Sequence, residues 1–219
     1  MTYSFFPRVL LFNFICLITA TATFAQSGDG WVFKNEKDGI KVYYKKTSDV
    51  HEIKMVTSMK ATLPGIVQLL SEVENYPKWG YKLTEAKLLK RVNDKEYYYY
   101  SKLDFPWPLS DRDIVVVTKL EQDSLTRRVT STSYSKPAYL PENKDVVRIK
   151  TTTTKWTVIP GAGGWQYIEY YIYSDPGGNI PDWLVNMAID VGPLETLGSM
   201  RDMLQQPKYR TAKLAYIKE

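Results

Sequence analysis

The sequence predicts one α+β domain: a meandering antiparallel sheet, a short helical insertion after its early strands, and a long C-terminal helix. Three observations carry this. Apolar and polar residues alternate with period two over much of the chain from Ile40 onward. The period changes to helical spacing after Pro64 and again after Pro181. Connections such as Asn93-Asp94 and Gly161-Ala162-Gly163-Gly164 are short and turn-like, which favours pairing of consecutive strands. No repeat, linker or low-complexity stretch divides the chain.

The N-terminus reads as an export signal. Residues 1–8 carry one positive charge, Arg8, and no acid. Val9 to Ile18 is a mainly apolar run, and Thr23-Phe24-Ala25 ahead of Gln26 has the small-x-small form of a signal-peptidase site. The run is shorter than the ~20 apolar residues of a spanning helix. A cleaved signal peptide over residues 1–25 is expected, with residues 26–219 as one domain, periplasmic or secreted. Cys16, the one cysteine, falls inside the leader, so the mature chain has no disulfide and depends on its own core. The net charge of +5 drops by one when Arg8 leaves. It is spread over mixed signs with no basic stripe, so nucleic acid is not an expected partner, whereas transient contact with an anionic membrane is compatible.

Each element has its own signal. Ile40, Val42 and Tyr44 alternate with Lys41, Tyr43 and Lys45; Ile53, Met55, Thr57, Met59 and Ala61 alternate with Lys54, Val56, Ser58 and Lys60. Both segments read as strands with one wet face. Pro64 opens a helix with Leu63, Ile66, Val67, Leu70 and Val73 on one side, closed by Asn75-Tyr76-Pro77. Strands are expected at about 83–91, 96–104, 113–122, 126–135, 146–159 and 165–174. The last stops at Pro176-Gly177-Gly178. Asp182 then favours a positive helix end, and Leu184, Met187, Ala188, Val191, Leu194 and Leu197 share one face of a helix running to about Leu204. Gly192-Pro193 predicts a kink, because proline removes one backbone bond and clashes with the preceding turn.

Inventory excludes most catalytic chemistry. His51 is the one histidine, placed in a polar turn, so His/Cys metal sites lack ligands and no cofactor is expected. No Gly-x-Ser-x-Gly elbow accompanies it. The 161–164 glycines lie between strands, away from any helix N-terminus, and read as a hairpin turn. Asp111 and Asp113 flank Arg112 and read as a structural ion cluster. What remains is aromatic lining: Tyr97 to Tyr100 on one strand, Trp156 on another, and Tyr167, Tyr170, Tyr171 and Tyr173 on the last. Such a face is apolar yet carries hydroxyls that need partners, which suits a pocket for an amphipathic molecule.

Three motifs then give a specific resemblance. They are Trp31 with Asp38-Gly39-Ile40-Lys41-Val42-Tyr43; Phe105-Pro-Trp-Pro-Leu-Ser-Asp-Arg-Asp113; and Asp175-Pro-Gly-Gly-Asn-Ile-Pro-Asp-Trp-Leu-Val-Asn186. In this order and approximate spacing they resemble the START (steroidogenic acute regulatory protein-related lipid transfer) domain family over about Trp31 to Gln205. The resemblance implies a helix-grip fold, a curved antiparallel sheet around the C-terminal helix, enclosing a cavity for one lipid or other hydrophobic ligand. A non-enzymatic carrier acting as a monomer is expected. Arg112 and Asp113 match the family's strand-opening pair, with a structural role. The charged pair of sterol-carrying relatives is replaced here by Thr118 and Tyr99. Trp183, Leu184, Met187 and Val191 match the lid-like helix, and the kink would be its hinge. The expected ligand-lining set is therefore Tyr97, Tyr99, Trp107, Thr118, Trp156, Tyr167, Trp183, Leu184, Met187 and Val191. Two other readings remain open. One is an enzyme of the wider superfamily, a cyclase or hydrolase on a hydrophobic substrate, using Tyr99 or Tyr167 with Asp104 or Asp113. The other is a filled core serving as an interaction module.

Overall fold

The computed structural model describes residues 29–47 and 50–219; the expected leader lies outside them. β1 (Val32–Lys37), β2 (Ile40–Lys45) and β3 (Glu52–Lys60) form a meander at one edge of a sheet. The chain then crosses to the opposite edge through α1 (Leu63–Ser71) and a 3-10 turn at Val73–Lys78. There β4 (Leu83–Asn93), β5 (Glu96–Leu103), β6 (Arg112–Gln122) and β7 (Val129–Ser135) return in antiparallel order. A two-residue β8 (Val147–Arg148) pairs in parallel with β6, and β9 (Thr151–Pro160) and β10 (Trp165–Asp175) complete the return. β10 pairs with both β9 and β3, giving the order β1-β2-β3-β10-β9-β7-β6-β5-β4.

Consecutive pairing thus holds within each meander, and the β10–β3 seam joins them. Two strand readings change. β1 was not expected, because its side chains are mostly exposed and show no buried alternation. The single strand expected at 146–159 is divided, because Arg148 is held on β6. Its guanidinium donates to both oxygens of Asp113 at 2.6 and 3.0 Å, and to the carbonyls of Pro137, Leu140 and Pro141. Both members of this ion pair are buried. Asp113 is therefore structural, as the sequence suggested.

The N-terminus of α1 is capped by Thr62, whose Oγ1 accepts from the Gly65 N–H at 3.1 Å. A Cβ at Gly65 would stand 2.3 Å from the Tyr209 carbonyl oxygen, so glycine lets the C-terminal α4 (Pro207–Arg210) lie directly on α1.

The expected long C-terminal helix is two helices, α2 (Asp182–Ala188) and α3 (Val191–Met203). The break lies at Ile189–Asp190, not at Gly192-Pro193. Pro193 has no N–H to give the Ile189 carbonyl, and its ring would collide with that carbonyl, so the ladder fails four residues upstream. A new helix starts with the Leu194 N–H donating to the Asp190 carbonyl at 3.0 Å.

α3 touches both edges of the sheet. Towards β1, Asp190 accepts from Lys34 at 2.7 Å and from Asn35 at 3.1 Å, and Glu195 accepts from Lys37 at 3.2 Å. Ahead of β4, the Tyr81 N–H donates to Thr196 Oγ1 at 3.1 Å, and a Cβ at Gly192 would stand 3.1 Å from the Tyr81 ring. A sheet whose first and last strands meet one helix is strongly curved. Leu197 and Met200 fill its concave side against Ile53, Met55, Val158 and Ile168, all fully buried.

Arg148→Met should destabilise the domain by about 3–5 kcal/mol in a urea titration, because it leaves the Asp113 carboxylate buried and unpaired. Adding Asp113→Leu should recover most of that loss.

Candidate ligand-binding site

The register decides which side chains face the helices, since residues directly opposite in antiparallel strands share a face. One row crosses the sheet as Val42, Met55, Tyr170, Trp156, Ser131 and Leu120. A second runs Ile53, Ile172, Thr154, Ser133, Thr118 and Tyr97. Tyr99 lies opposite Val116, and Ser101 opposite Ile114. The concave face therefore mixes aliphatic and aromatic groups with neutral hydroxyls. None of these positions carries an acid.

Rings cluster over this face. Trp156 and Tyr170 stack with centroids 3.7 Å apart and planes 10° from parallel. Trp79, at the end of the 3-10 turn, meets Trp156 edge-on at 6.4 Å, and Tyr76 meets Trp79 at 5.5 Å and Tyr99 at 5.2 Å. Tyr97 and Tyr76 both donate to the Leu70 carbonyl, at 2.7 and 2.5 Å. Thr118 and Ser133 share a hydrogen bond at 2.7 Å.

Packing is uneven along the concave face. Beneath the C-terminal half of α3, Met59, Leu120, Val158, Ile168 and Leu204 are buried. Towards α2, the inward-facing Tyr99, Tyr170 and Leu88 and the helix residues Ile189 and Leu194 are only partly buried. Desolvation nonetheless raises the phenols of Tyr99 and Tyr170 far above the usual range. On this part of the face the helices cover the inward aromatic side chains incompletely.

The rim of that end is built by two loops joined through Arg112. Its Nε donates to the Pro176 carbonyl at 3.2 Å and its Nη2 to the Gly177 carbonyl at 3.1 Å; Nη1 donates to the Ser110 carbonyl. The guanidinium also lies 4.5 Å above the Phe105 ring. α2 is tied across the rim by Asn186, whose Oδ1 accepts from the His51 N–H at 2.8 Å.

Of the residues picked from sequence, Tyr97, Tyr99, Thr118 and Trp156 lie on the inward face of the sheet, and Leu184 is half-buried on α2. The Met187 side chain lies outside the described residues. Tyr167 is a correction. It pairs with Ile159 and Ser58, one register step out of phase with the inward row, so it faces the convex side. There it lines a surface cleft of about 540 Å³ with Lys41, Lys60, Trp165 and Arg201. Trp107, Trp183 and Val191 are 92, 68 and 46 % exposed. Tyr76, Trp79, Ser101, Ser131, Ser133 and Tyr170 were not picked. Counting in twos from Ile168, the aliphatic residue between Tyr167 and Glu169, would have found Tyr170.

The carboxylates considered for catalysis are elsewhere. Asp113 is paired with Arg148, and Asp104 accepts from Lys82 at 2.9 Å on the surface.

A START domain model matches residues 20–210. The chain belongs to the START domain family. An uncharacterised Pseudomonas aeruginosa protein is 31 % identical over 195 residues, covering 86 % of this chain and 96 % of its own. Mouse phosphatidylcholine transfer protein is 26 % identical over 175 residues, covering 77 % of this chain and 80 % of its own. The crystal structure of a STAR-related lipid transfer protein fragment from Xanthomonas axonopodis superposes with a TM-score of 0.76 at 32 % identity, covering 81 % of this chain and all of that one. Human STARD10, 20 % identical, shows the same fold with a TM-score of 0.72. The helix-grip architecture of this START domain is thereby shown.

Burial raises the phenols of Tyr76, Tyr97, Tyr99 and Tyr170 above the ordinary tyrosine value of about 10. A raised folded value supports stability that is complete below the unfolded value and is lost as pH climbs through the folded one. Denaturant midpoints should therefore hold steady up to about pH 10 and fall above it. In Tyr170→Phe that alkaline fall should be shallower.

Proposed function

We propose that this START domain binds one lipid or similar hydrophobic molecule in the hollow between the sheet and α2–α3, and carries it between membranes without chemical change. The observation that carries the reading is the pair Tyr99 and Tyr170, desolvated yet partly accessible at the concave face. The transfer activity named for its relatives supports it. So does scale. Each buried methylene contributes ~0.8 kcal/mol, so a long acyl chain gains roughly 10 kcal/mol from leaving water. A carrier must enclose most of that chain to compete with a bilayer. The lack of any acid along the inward rows supports binding over catalysis.

Entry is read at the α2 end. α2 is separated from α3 by the break at Ile189–Asp190, so it can swing as a unit on that joint. Trp107 and Trp183, exposed on the two sides of the rim, are placed to enter a membrane interface while the lid moves. The export-signal pattern read over residues 1–25 supports work outside the cytoplasm, in a periplasm or beyond, and we take the mature chain to act as a monomer.

Native mass spectrometry of the protein purified from its own compartment should show a one-to-one adduct that denaturation releases as lipid. No adduct, together with no exchange of labelled lipid between vesicles, would sink the carrier reading. Trp107→Ala and Trp183→Ala should each slow vesicle-to-vesicle exchange roughly tenfold by weakening surface contact, while the adduct persists.

A further inference from the structure

β3 is longer than the strand beside it. β2 pairs with it from Glu52 opposite Lys45 to Val56 opposite Lys41, and the first hairpin then turns away at Asp38-Gly39. Thr57 is fixed to that turn, its Oγ1 donating to the Gly39 carbonyl at 2.9 Å. Ser58, Met59 and Lys60 continue the strand with β10 on one side and no strand on the other. Along an antiparallel strand, the N–H and C=O of one residue point to one neighbour and those of the next residue to the other. The Ala61 N–H donates to the Gly164 carbonyl, on the β10 side, at 3.1 Å. Met59 therefore faces β10 as well, and the N–H and C=O of Ser58 and Lys60 face the open side. No strand, loop or side chain among the described residues bonds to these four groups.

The outer edges of the sheet are less regular. β1 and β4 both carry register shifts against their neighbours, which disturb the spacing of donors and acceptors along an edge. The register of β3 with β10 is unbroken from Ile53 to Lys60. Beside the open stretch lies the cleft of about 540 Å³, walled by the 38–39 turn and by Arg201 and Gln205 of α3. Its charges are unevenly placed. At the β2 end, Lys41 shares a row with Glu36 on one side and, beyond Val56, Glu169 on the other. At the open end, Lys60 stands opposite Trp165 and makes no ion pair. Arg201 donates to the Asp38 carbonyl at 3.0 Å and to Thr57 Oγ1 at 3.3 Å, both neutral acceptors. Asp38 is the one acid lining the cleft.

We propose that the 58–60 edge of β3 takes an added strand: an extended, acidic peptide segment of a partner protein, bonded to the backbone of Ser58 and Lys60, with its carboxylates at Lys60 and Arg201. Open main-chain groups in register are matched by another main chain, which is how strand addition gains affinity. Side chains opposite Ser58 and Lys60 would share their convex face, and the one between them would turn to the α3 side. Acids at either place meet a cation. A second copy of this chain would bring like charges to the same edge.

The probe is a blocked hexapeptide of alternating glutamate and valine, titrated into the protein and followed by amide-resolved hydrogen exchange. The Ser58 and Lys60 amides should slow roughly tenfold at saturation, whereas those of Thr57 and Met59, already bonded or covered, should not change. Ser58→Pro removes an N–H that no ladder bond uses, which an edge position tolerates. It should weaken the peptide roughly tenfold and leave the urea midpoint in place. Lys60→Pro makes the same comparison should Ser58→Pro fail to fold. Lys60→Glu should weaken the peptide about fivefold. Equal binding of the lysine–valine counterpart, undiminished binding in both proline variants, or no binding at millimolar peptide would each overturn the proposal. So would binding of phosphatidylglycerol vesicles that competes with the peptide and is unaffected by Ser58→Pro, which would make the cleft a membrane contact.

Discussion

One helix holds both ends of the sheet, and the rest of the architecture depends on that grip. β1 and β4 are the outermost strands, yet α3 meets Lys34 and Lys37 on one side and Tyr81 on the other. A flat sheet of nine strands in sequence would set its edges about 40 Å apart, at roughly 4.8 Å per strand spacing. Contact with a single helix about 10 Å across is attainable only if the sheet curls. The β10–β3 seam carries the curl across the join between the two meanders. Without it, each would be a small open sheet with a bare apolar face.

Curling fixes the inside before anything fills it. Where Leu197, Met200 and Leu204 descend from α3, the concave face is packed as a core. Elsewhere on the same face the inward Tyr99 and Tyr170 are only partly buried. Ser131, Ser133 and Thr118 are poor choices for a packed core, since a buried hydroxyl contributes little and needs a partner. Thr118 and Ser133 satisfy each other; Ser101 and Trp79 do not. The chain therefore gives up some stability at this end for a surface with directed hydrogen-bonding groups.

Most elements were legible in the sequence because periodicity reports burial directly. β2, β3, α1 and the strands from Leu83 to Asp175 follow from it, with β1 the omission because its side chains face water. The fold name came from three motifs, not from periodicity. The site was less legible, for physical reasons. In the run Tyr97 to Tyr100 inward and outward residues are chemically identical, so composition cannot tell the faces apart; only the pairing of Tyr97 with Thr118 does. Trp79 follows a 3-10 turn, where neither period applies. Trp107 and Trp183 were read as lining from their places in the family motifs, and both are exposed. The helix break was placed three residues late because a proline acts on the carbonyl behind it.

The clasp built on Arg112 joins two loops without using an ion pair. Arg112 joins the 105–111 and 175–178 loops through neutral carbonyls and a ring face, with no carboxylate of its own. A guanidinium stays protonated over any physiological range, and carbonyls do not titrate. Buried contacts of this kind are also poorly screened by salt. The Arg112 clasp itself is thus indifferent to acidity and ionic strength, unlike the carboxylates of Asp111 and Asp175 that brace the same two loops.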